Sequence, residues 1–280
     1  NAVLPQFEVL THNYLGERDA LYSRIRLWGS VGFIAMVLGL GVWFDYFTVM
    51  HLPYGLLIGF VSVLVVLLMM PSSPADPQQA PAKGALWAIY RQRSVWAFFL
   101  AVVLIQMSHG VYYGFYTIYM QEHGYSPTLI SLLWSFGVAA EIVLFIYVPT
   151  IFKRFSLRAC LAISMLLAAL RWLIVATMPE NITLLTIAQI GHAFSFGLVH
   201  AASMAMIRRS FPSNVAGRAQ ALYSALGFGA GAAVGTYVAG WLWLVSGQVA
   251  FLFAAGLALT GFAITQWVLP RAQIAKPLTE

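Results

Sequence analysis

Apolar runs of about twenty residues, broken by short polar stretches, recur along the whole chain. A hydrocarbon core about 30 Å thick takes roughly 20 apolar residues of helix. Eight runs meet that length, at about 26–47, 53–70, 95–121, 127–152, 157–178, 182–207, 215–244 and 249–269. They are continuous rather than alternating, which predicts α-helices and not the strands of a barrel. Only those two architectures satisfy every backbone polar group inside lipid. Residues 1–16 read as the end of a further span, with no initiator Met and no positively charged leader before them. The expectation is a chain that lacks the N-terminal part of its bundle.

One stretch interrupts the pattern. "PSSPADPQQAPAKG", 71–84, is too rich in proline and polar residues to pack. "ALWAIYRQR", 85–93, then suits a short helix lying at the membrane surface. The predicted organisation is therefore a first part over 1–70, a linker with its interfacial helix over 71–94, six spans over 95–270, and a tail over 271–280. The fold class is an all-α membrane bundle.

Composition agrees: 61% of residues are hydrophobic and 9% charged, against about 25% charged in soluble domains. The single cysteine, Cys160, excludes an internal disulfide. The net charge of +6 is spread between the runs, so it forms no basic face for nucleic acid. Its placement is informative. Arg18, Arg24, Arg26; Lys83, Arg91, Arg93; Lys153, Arg154, Arg158; Arg208, Arg209, Arg218; and Arg271, Lys276 occupy every second loop, and the loops between have none. Fourteen of the fifteen Lys and Arg residues thus fall on one side. The positive-inside rule makes that side the cytoplasm, with the linker and the C-terminus there. A bacterial inner membrane is the expected location.

The exception is Arg171, inside "LLAALRWLIVA"; the preceding span holds Glu141, inside "WSFGVAAEIVLF". Either charge alone at mid-membrane costs several kcal/mol. At about 1.5 Å of rise per residue from the cytoplasmic end, Glu141 lies about 16 Å deep and Arg171 about 21 Å. On the same scale His109 comes out near 21 Å and His192 near 22 Å. Four ionisable residues on four helices converge within about one turn of one level. Glu141 is expected to pair with Arg171 in a shared polar cavity, and an imidazole beside a carboxylate can titrate near neutral pH. A static pair that only locks two helices together is the alternative. Each histidine alone also fits a hydrogen-bonded packing role, and His200, two turns below His192, fits it better. Tyr112, Tyr113, Tyr116 and Tyr119 crowd the helix of His109. They suit an aromatic ligand; an interfacial belt accounts for Tyr119 and not for Tyr112. Gly227, Gly231 and Gly235, at every fourth place, allow close helix packing.

Several chemistries have no support. There is no phosphate-binding loop, and "HGVYYG" and "HAFSFGLVH" are not the zinc-protease H-E-x-x-H. No Gly-x-Ser-x-Gly elbow and no Cys/His metal cluster occur. No enzyme activity, cofactor or metal is expected.

"LYSRIRLWGSVGFI", "GYSPTLISLLWSFGVAAEIVLF", "LRWLIVA" and "HAFSFGLVHAASM" together resemble the phenylpropionic acid transporters of the major facilitator superfamily. These are akin to the lactose-permease-like proton symporters. The resemblance implies twelve spans in two six-helix halves around a midplane site, with the eight runs as spans 5 to 12 and residues 1–16 ending span 4. It implies that the sugar-binding Glu–Arg pair of spans 4 and 5 falls on Glu8 and Arg26. It puts the span-9 arginine that assists proton release on Arg171, and the span-10 histidine on His192. The permease's proton-carrying glutamate position is Ser195 here, and its span-8 substrate carboxylate has no exact counterpart; Glu141 lies about one turn away. The expectation is that Glu141 takes over as proton carrier.

The resulting reading is a monomeric proton symporter importing a small aromatic carboxylic acid such as 3-phenylpropionate. Glu141, Arg171 and His192 couple the proton. Glu8, Arg26, His109, Tyr112, Tyr113, Trp134 and Arg171 line the substrate site, with Phe115 also suited to an aryl ring. A sugar or nucleoside symporter of the same fold is the alternative, and a channel or a non-transporting scaffold belongs to a different class.

Overall fold

A computed structural model of the chain describes residues 19–69, 91–211 and 213–270, and the described residues are helical throughout, apart from short turns. In chain order the helices are α1 (Asp19–Tyr46), α2 (Leu52–Met69), α3 (Arg93–Glu122), α4 (Pro127–Arg154), α5 (Leu157–Thr177), α6 (Ile182–Ile190), α7 (Val199–Ser210), α8 (Ser213–Ser224), α9 (Ala232–Trp243) and α10 (Gly247–Trp267). A π-helical segment, Ala193–Leu198, joins α6 to α7, and a second, Ala225–Gly231, joins α8 to α9. Each joined pair reads as one rod.

All eight predicted runs are helical. Seven are long and apolar enough to cross a membrane: Leu52–Met69, Arg93–Glu122, Pro127–Arg154, Leu157–Thr177, Ile182–Ser210, Ala216–Trp243 and Gly247–Trp267. The run at 26–47 differs, because only Val31–Tyr46 of α1 is apolar. Arg24, Arg26, Gly29 and Ser30 dilute its first half. The other differences are the two π-helical segments, which an apolar run does not announce. The predicted linker 71–84, most of the interfacial helix 85–93 and the tail 271–280 lie outside the described residues, as do residues 1–16 with Glu8.

Polar residues between the spans end and start the helices. Ser126, Ser156, Asn181 and Ser246 each accept a hydrogen bond from the backbone N–H three residues on, at 3.3, 3.2, 3.1 and 3.1 Å. These caps satisfy amides that have no partner within the helix. After α3 the chain turns through Gly124, with φ +82°. Tyr125 N–H donates to Met120 O at 3.1 Å and Gly124 N–H to Gln121 O at 3.0 Å, the paired bonds of a helix stop that needs a left-handed residue.

The structure divides into two units. The smaller comprises α1, α2 and the start of α4 up to Ser135. In it Thr128 Oγ1 donates to the Asp45 carboxylate. α2 buries none of its residues, which suits a helix whose surroundings are hydrocarbon. The larger unit holds the rest of α4 and α3 through α10 apart from it. Its centre is α3, packed on α9 and α10, with α5 packed on α10 and on the rod of α6 and α7. Phe98, Val102, Ile105, Met165, Trp172, Ala254 and Ala258 are all buried in that core.

The contact between α3 and α9 depends on missing side chains. A Cβ at Gly235 would overlap the Met107 backbone, and one at Gly110 would overlap the Ala232 backbone. Thr236 Oγ1 donates to Gly110 O at 2.8 Å across the same contact. The glycine stripe is a packing surface against α3, where lipid supplies no hydrophobic drive and close approach must supply dispersion instead. Gly235→Val is therefore expected to lower stability by about 2 kcal/mol or more through overpacking. Gly256→Ala, at a position with nothing within 4 Å of the added Cβ, is the neutral comparison. Thermal unfolding in detergent checks both; equal melting temperatures would remove the stripe from the packing account.

Candidate functional site

The midplane residues of α3, α4, α5 and the 182–210 rod meet inside the larger unit. Two glycines let α4 approach that rod. A Cβ at Gly137 would sit 3.2 Å from Gln189 O and 3.3 Å from His192 Cβ, and one at Gly197 would sit 2.8 Å from Glu141 Cγ. Gly137 and Glu141 are four apart, hence on one helical face. The close approach at Gly137 brings Glu141 to His192, and the bare backbone of Gly197 makes room for its stem. Glu141 Oε2 lies 3.8 Å from His192 Nε2. That is ion-pair distance, somewhat long for a hydrogen bond. The side chains are 14% and 7% exposed respectively, so the pair is nearly closed to solvent.

Arg171 goes elsewhere. The expected Glu141–Arg171 pair is replaced by the Glu141–His192 contact, while the guanidinium is held by neutral groups. Its Nη2 donates to Gln189 Oε1 at 3.1 Å and its Nη1 to Ser195 Oγ at 3.4 Å. Its Cζ lies 4.3 Å from the ring centroids of both Tyr112 and Trp172. The physical reason is position about the helix axis. Arg171 follows Ala168 and Ala169 and precedes Trp172, all buried on the side of α5 that meets α10 and the 182–210 rod, from which Trp172 and Arg171 reach Ser108 and Tyr112 of α3. Arg171 is 1% exposed, and its Nε has no hydrogen-bond partner among the described residues. Cation–π contacts reach about 2 kcal/mol when desolvated and hydrogen bonds to charged groups about 1.5–3 kcal/mol. These offset burial of the charge without neutralising it.

The surrounding groups are tightly fixed. Tyr112 Oη donates to Gln189 Oε1 at 2.8 Å. Trp172 Nε1 donates to Ser108 Oγ at 3.1 Å, and Ser108 Oγ donates to Ile105 O at 2.6 Å. His109 Nδ1 donates to the same carbonyl at 2.9 Å. That fixes the tautomer of a neutral imidazole and leaves Nε2 as an acceptor. His109 and His192 have ring centroids 6.0 Å apart, and His192 stacks on Phe196 at 5.1 Å and 12°.

Glu141, His192, His109, Tyr112 and Arg171 are thus brought together. Tyr113 stays at the edge, 46% exposed, with its ring 6.0 Å from that of His109. Trp134 is half-buried and belongs to the smaller unit. Glu8 lies outside the described residues, and of Arg26 only the helical backbone is described. Phe115 stacks on Trp243 at 4.9 Å, toward the C-terminal end of α3. Tyr119 is buried and donates to Ala176 O at 3.3 Å, so it packs where a membrane belt was the simpler reading. His200 Nδ1 lies 3.3 Å from the Tyr223 hydroxyl, in keeping with a packing role. Two participants went unread in the sequence: Gln189 and Trp172. Gln189 carried a signal, as an amide inside an apolar run three residues, one turn, before His192. Trp172 carried none, since a tryptophan beside an intramembrane arginine reads as ordinary core.

An uncompensated charge in the core favours function over stability. Arg171→Met is expected to raise stability by about 1–4 kcal/mol, as when buried ionic groups give way to apolar ones. Arg171→Lys, which keeps a charge but loses the fork and the stacking, should lower it. Detergent melting curves test the pair; a fall for Met as large as for Lys would show that the cation stabilises the core.

Comparisons with known proteins agree with this architecture. The model of the "MFS_1 like family" matches residues 1–255. A relative from Escherichia coli (strain K12), named probable 3-phenylpropionic acid transporter, is 34% identical over 275 residues, covering 96% of this chain and 71% of that protein. The maltose permease of Geobacillus stearothermophilus is 25% identical over 283 residues, 98% of this chain and 70% of its own. An uncharacterized transporter of Bacillus subtilis (strain 168), YwbF, is 22% identical over 277 residues, 96% and 67%. With seven helices able to cross a bilayer among the described residues, the chain belongs to the MFS_1-like family and is a multi-pass membrane transporter of the major facilitator superfamily.

Proposed function

We propose that the protein is a proton-coupled symporter that imports a small aromatic carboxylate such as 3-phenylpropionate by alternating access. The observation that carries this reading is the buried Arg171 guanidinium, bonded only to neutral groups among the described residues and flanked by the rings of Tyr112 and Trp172. A carboxylate would neutralise it, and the nearby aromatic faces suit an aryl group. The relative named for 3-phenylpropionic acid points the same way.

Coupling follows from charge. Glu141 as an anion repels an incoming carboxylate. A proton on the Glu141–His192 pair removes that negative charge, so substrate and proton favour each other's binding. Linkage makes the preference mutual. With both bound, the two halves rock and open the cavity to the other side. Loss of the proton restores the anion and expels the substrate. Tyr113 remains a candidate contact at the edge of the site, and Trp134 stays in the proposal on the sequence reading alone. Glu8 and Arg26 stay in the proposal on the resemblance alone. The cytoplasmic C-terminus stays in it on the placement of Lys and Arg, and the organisation into 1–70, 71–94, 95–270 and 271–280 on the apolar runs and the linker; the inner-membrane location and the monomeric state complete the proposal. A second reading, a sugar:proton symporter, draws on the maltose permease relative. It would use the same polar groups as hydrogen-bonding partners for hydroxyls.

The test is uptake of labelled 3-phenylpropionate into proteoliposomes containing the full chain, wild type beside Glu141→Gln. Wild-type uptake should accumulate substrate under an inward proton gradient and stop when the gradient collapses. Glu141→Gln should keep exchange of substrate across the membrane but lose accumulation. Accumulation that persists in the variant would take the proton from Glu141, and absence of 3-phenylpropionate uptake together with gradient-driven uptake of labelled maltose would favour the sugar reading.

A further inference from the structure

Gln189 has no role in the reading above beyond touching Arg171, yet its placement is highly constrained. The side chain is fully buried. Arg171 can only donate, so the atom it meets at 3.1 Å must be the carboxamide oxygen. Tyr112 Oη donates to the same oxygen at 2.8 Å. With both bonds on Oε1, the orientation of the amide is determined and its Nε2 points the other way. That nitrogen is buried and no described residue meets it at full hydrogen-bond geometry, although the Tyr116 hydroxyl is a hydrogen-bonding neighbour of the Gln189 side chain. An NH₂ group carries two protons, so a contact with Tyr116 leaves one to give. A buried donor without an acceptor is costly. Arg171 Nε, on the guanidinium that Gln189 Oε1 holds, is a second buried donor without a partner among the described residues. Two donors, one of them on a cation, are suited to the two oxygens of one carboxylate.

We propose that Gln189 is a specificity-determining residue of the transporter. Its carboxamide oxygen holds the Arg171 guanidinium in place, and its nitrogen gives a second fixed donor to the carboxylate of the ligand. The proposal rests on the carboxylate reading of the Arg171 site and adds to it a residue that separates an acid from its neutral isostere. An acid accepts at both oxygens. The corresponding amide accepts at one and presents an N–H to the other donor, leaving a buried group unpaired.

The experiment uses the full chain in proteoliposomes, with labelled 3-phenylpropionate as substrate and unlabelled 3-phenylpropionamide as neutral competitor. Gln189→Leu should raise the KM for the acid tenfold or more while inhibition by the amide changes by less than about threefold, since a lost charge-assisted contact is worth about 1.5–3 kcal/mol. Gln189→Glu keeps the shape of the side chain and places a carboxylate against Arg171. It should lose affinity for the acid at least as severely, with a melting temperature equal to or above wild type. That result separates anion selection from a merely structural role, because a structural residue replaced by its isostere would leave the KM unchanged. A KM within twofold of wild type in Gln189→Glu, or equal losses for acid and amide in Gln189→Leu, would overturn the assignment of Gln189 and leave the carboxylate reading intact. A wild type that neither carries nor binds 3-phenylpropionate would overturn both.

Discussion

A single guanidinium placed where there is little water organises the centre of this protein. Arg171 lies deep in the larger unit, on a helix otherwise made for lipid and for packing. An arginine does not escape by giving up its proton, so its surroundings must accommodate the charge. They do so with two aromatic faces and two neutral acceptors, Gln189 and Ser195. Those acceptors lie in and beside the π-helical segment, and the rings come from α3 and α5. Three helices are therefore tied to one another by the need to solvate one cation. A transporter gains from such an arrangement. A site satisfied by its own carboxylate would have little free energy left for a ligand, whereas one satisfied by dipoles keeps its attraction for an anion.

The proton-active groups are kept beside this cation rather than on it. Glu141 meets His192 through a close crossing at two glycines, positions 137 and 197. Gly197 lies within the π-helical stretch Ala193–Leu198. Such a stretch inserts an extra residue into the helical turn and redirects the side chains that follow it. The same local deviation accompanies Ser195 turned to Arg171 and the gap that receives Glu141. The second π-helical stretch, Ala225–Gly231, accompanies the glycine-rich packing of α9 on α3. In both rods irregular backbone occurs at close helix contacts; the first stretch is largely buried, and the second turns Gly227 and Gly231 into the protein.

Much of this was legible in the chain, for reasons that differ by feature. Span positions follow from the thickness of hydrocarbon, so an apolar run is nearly a measurement of length. The level of Glu141, His109, Arg171 and His192 could be counted because helices rise by a constant step, and the structure does gather them. The pairing of Glu141 with Arg171 failed because depth is only one of two coordinates. The other is the direction in which each side chain leaves its helix, and it advances by about 100° per residue. It depends on how each helix is rotated against its neighbours.

The sequence by itself determined the helical class, the number and order of the apolar runs, and the depth of the charged residues. Each of these follows from the one-dimensional match between a chain and a slab of lipid. The tertiary structure decided which groups touch: Glu141 with His192, Arg171 with Gln189, Ser195 and two rings, and glycines as crossing points. Those contacts are set by helix rotation and by two departures from α-helical winding. Neither leaves a mark in hydropathy, because turning a helix about its axis changes its partners without changing its composition.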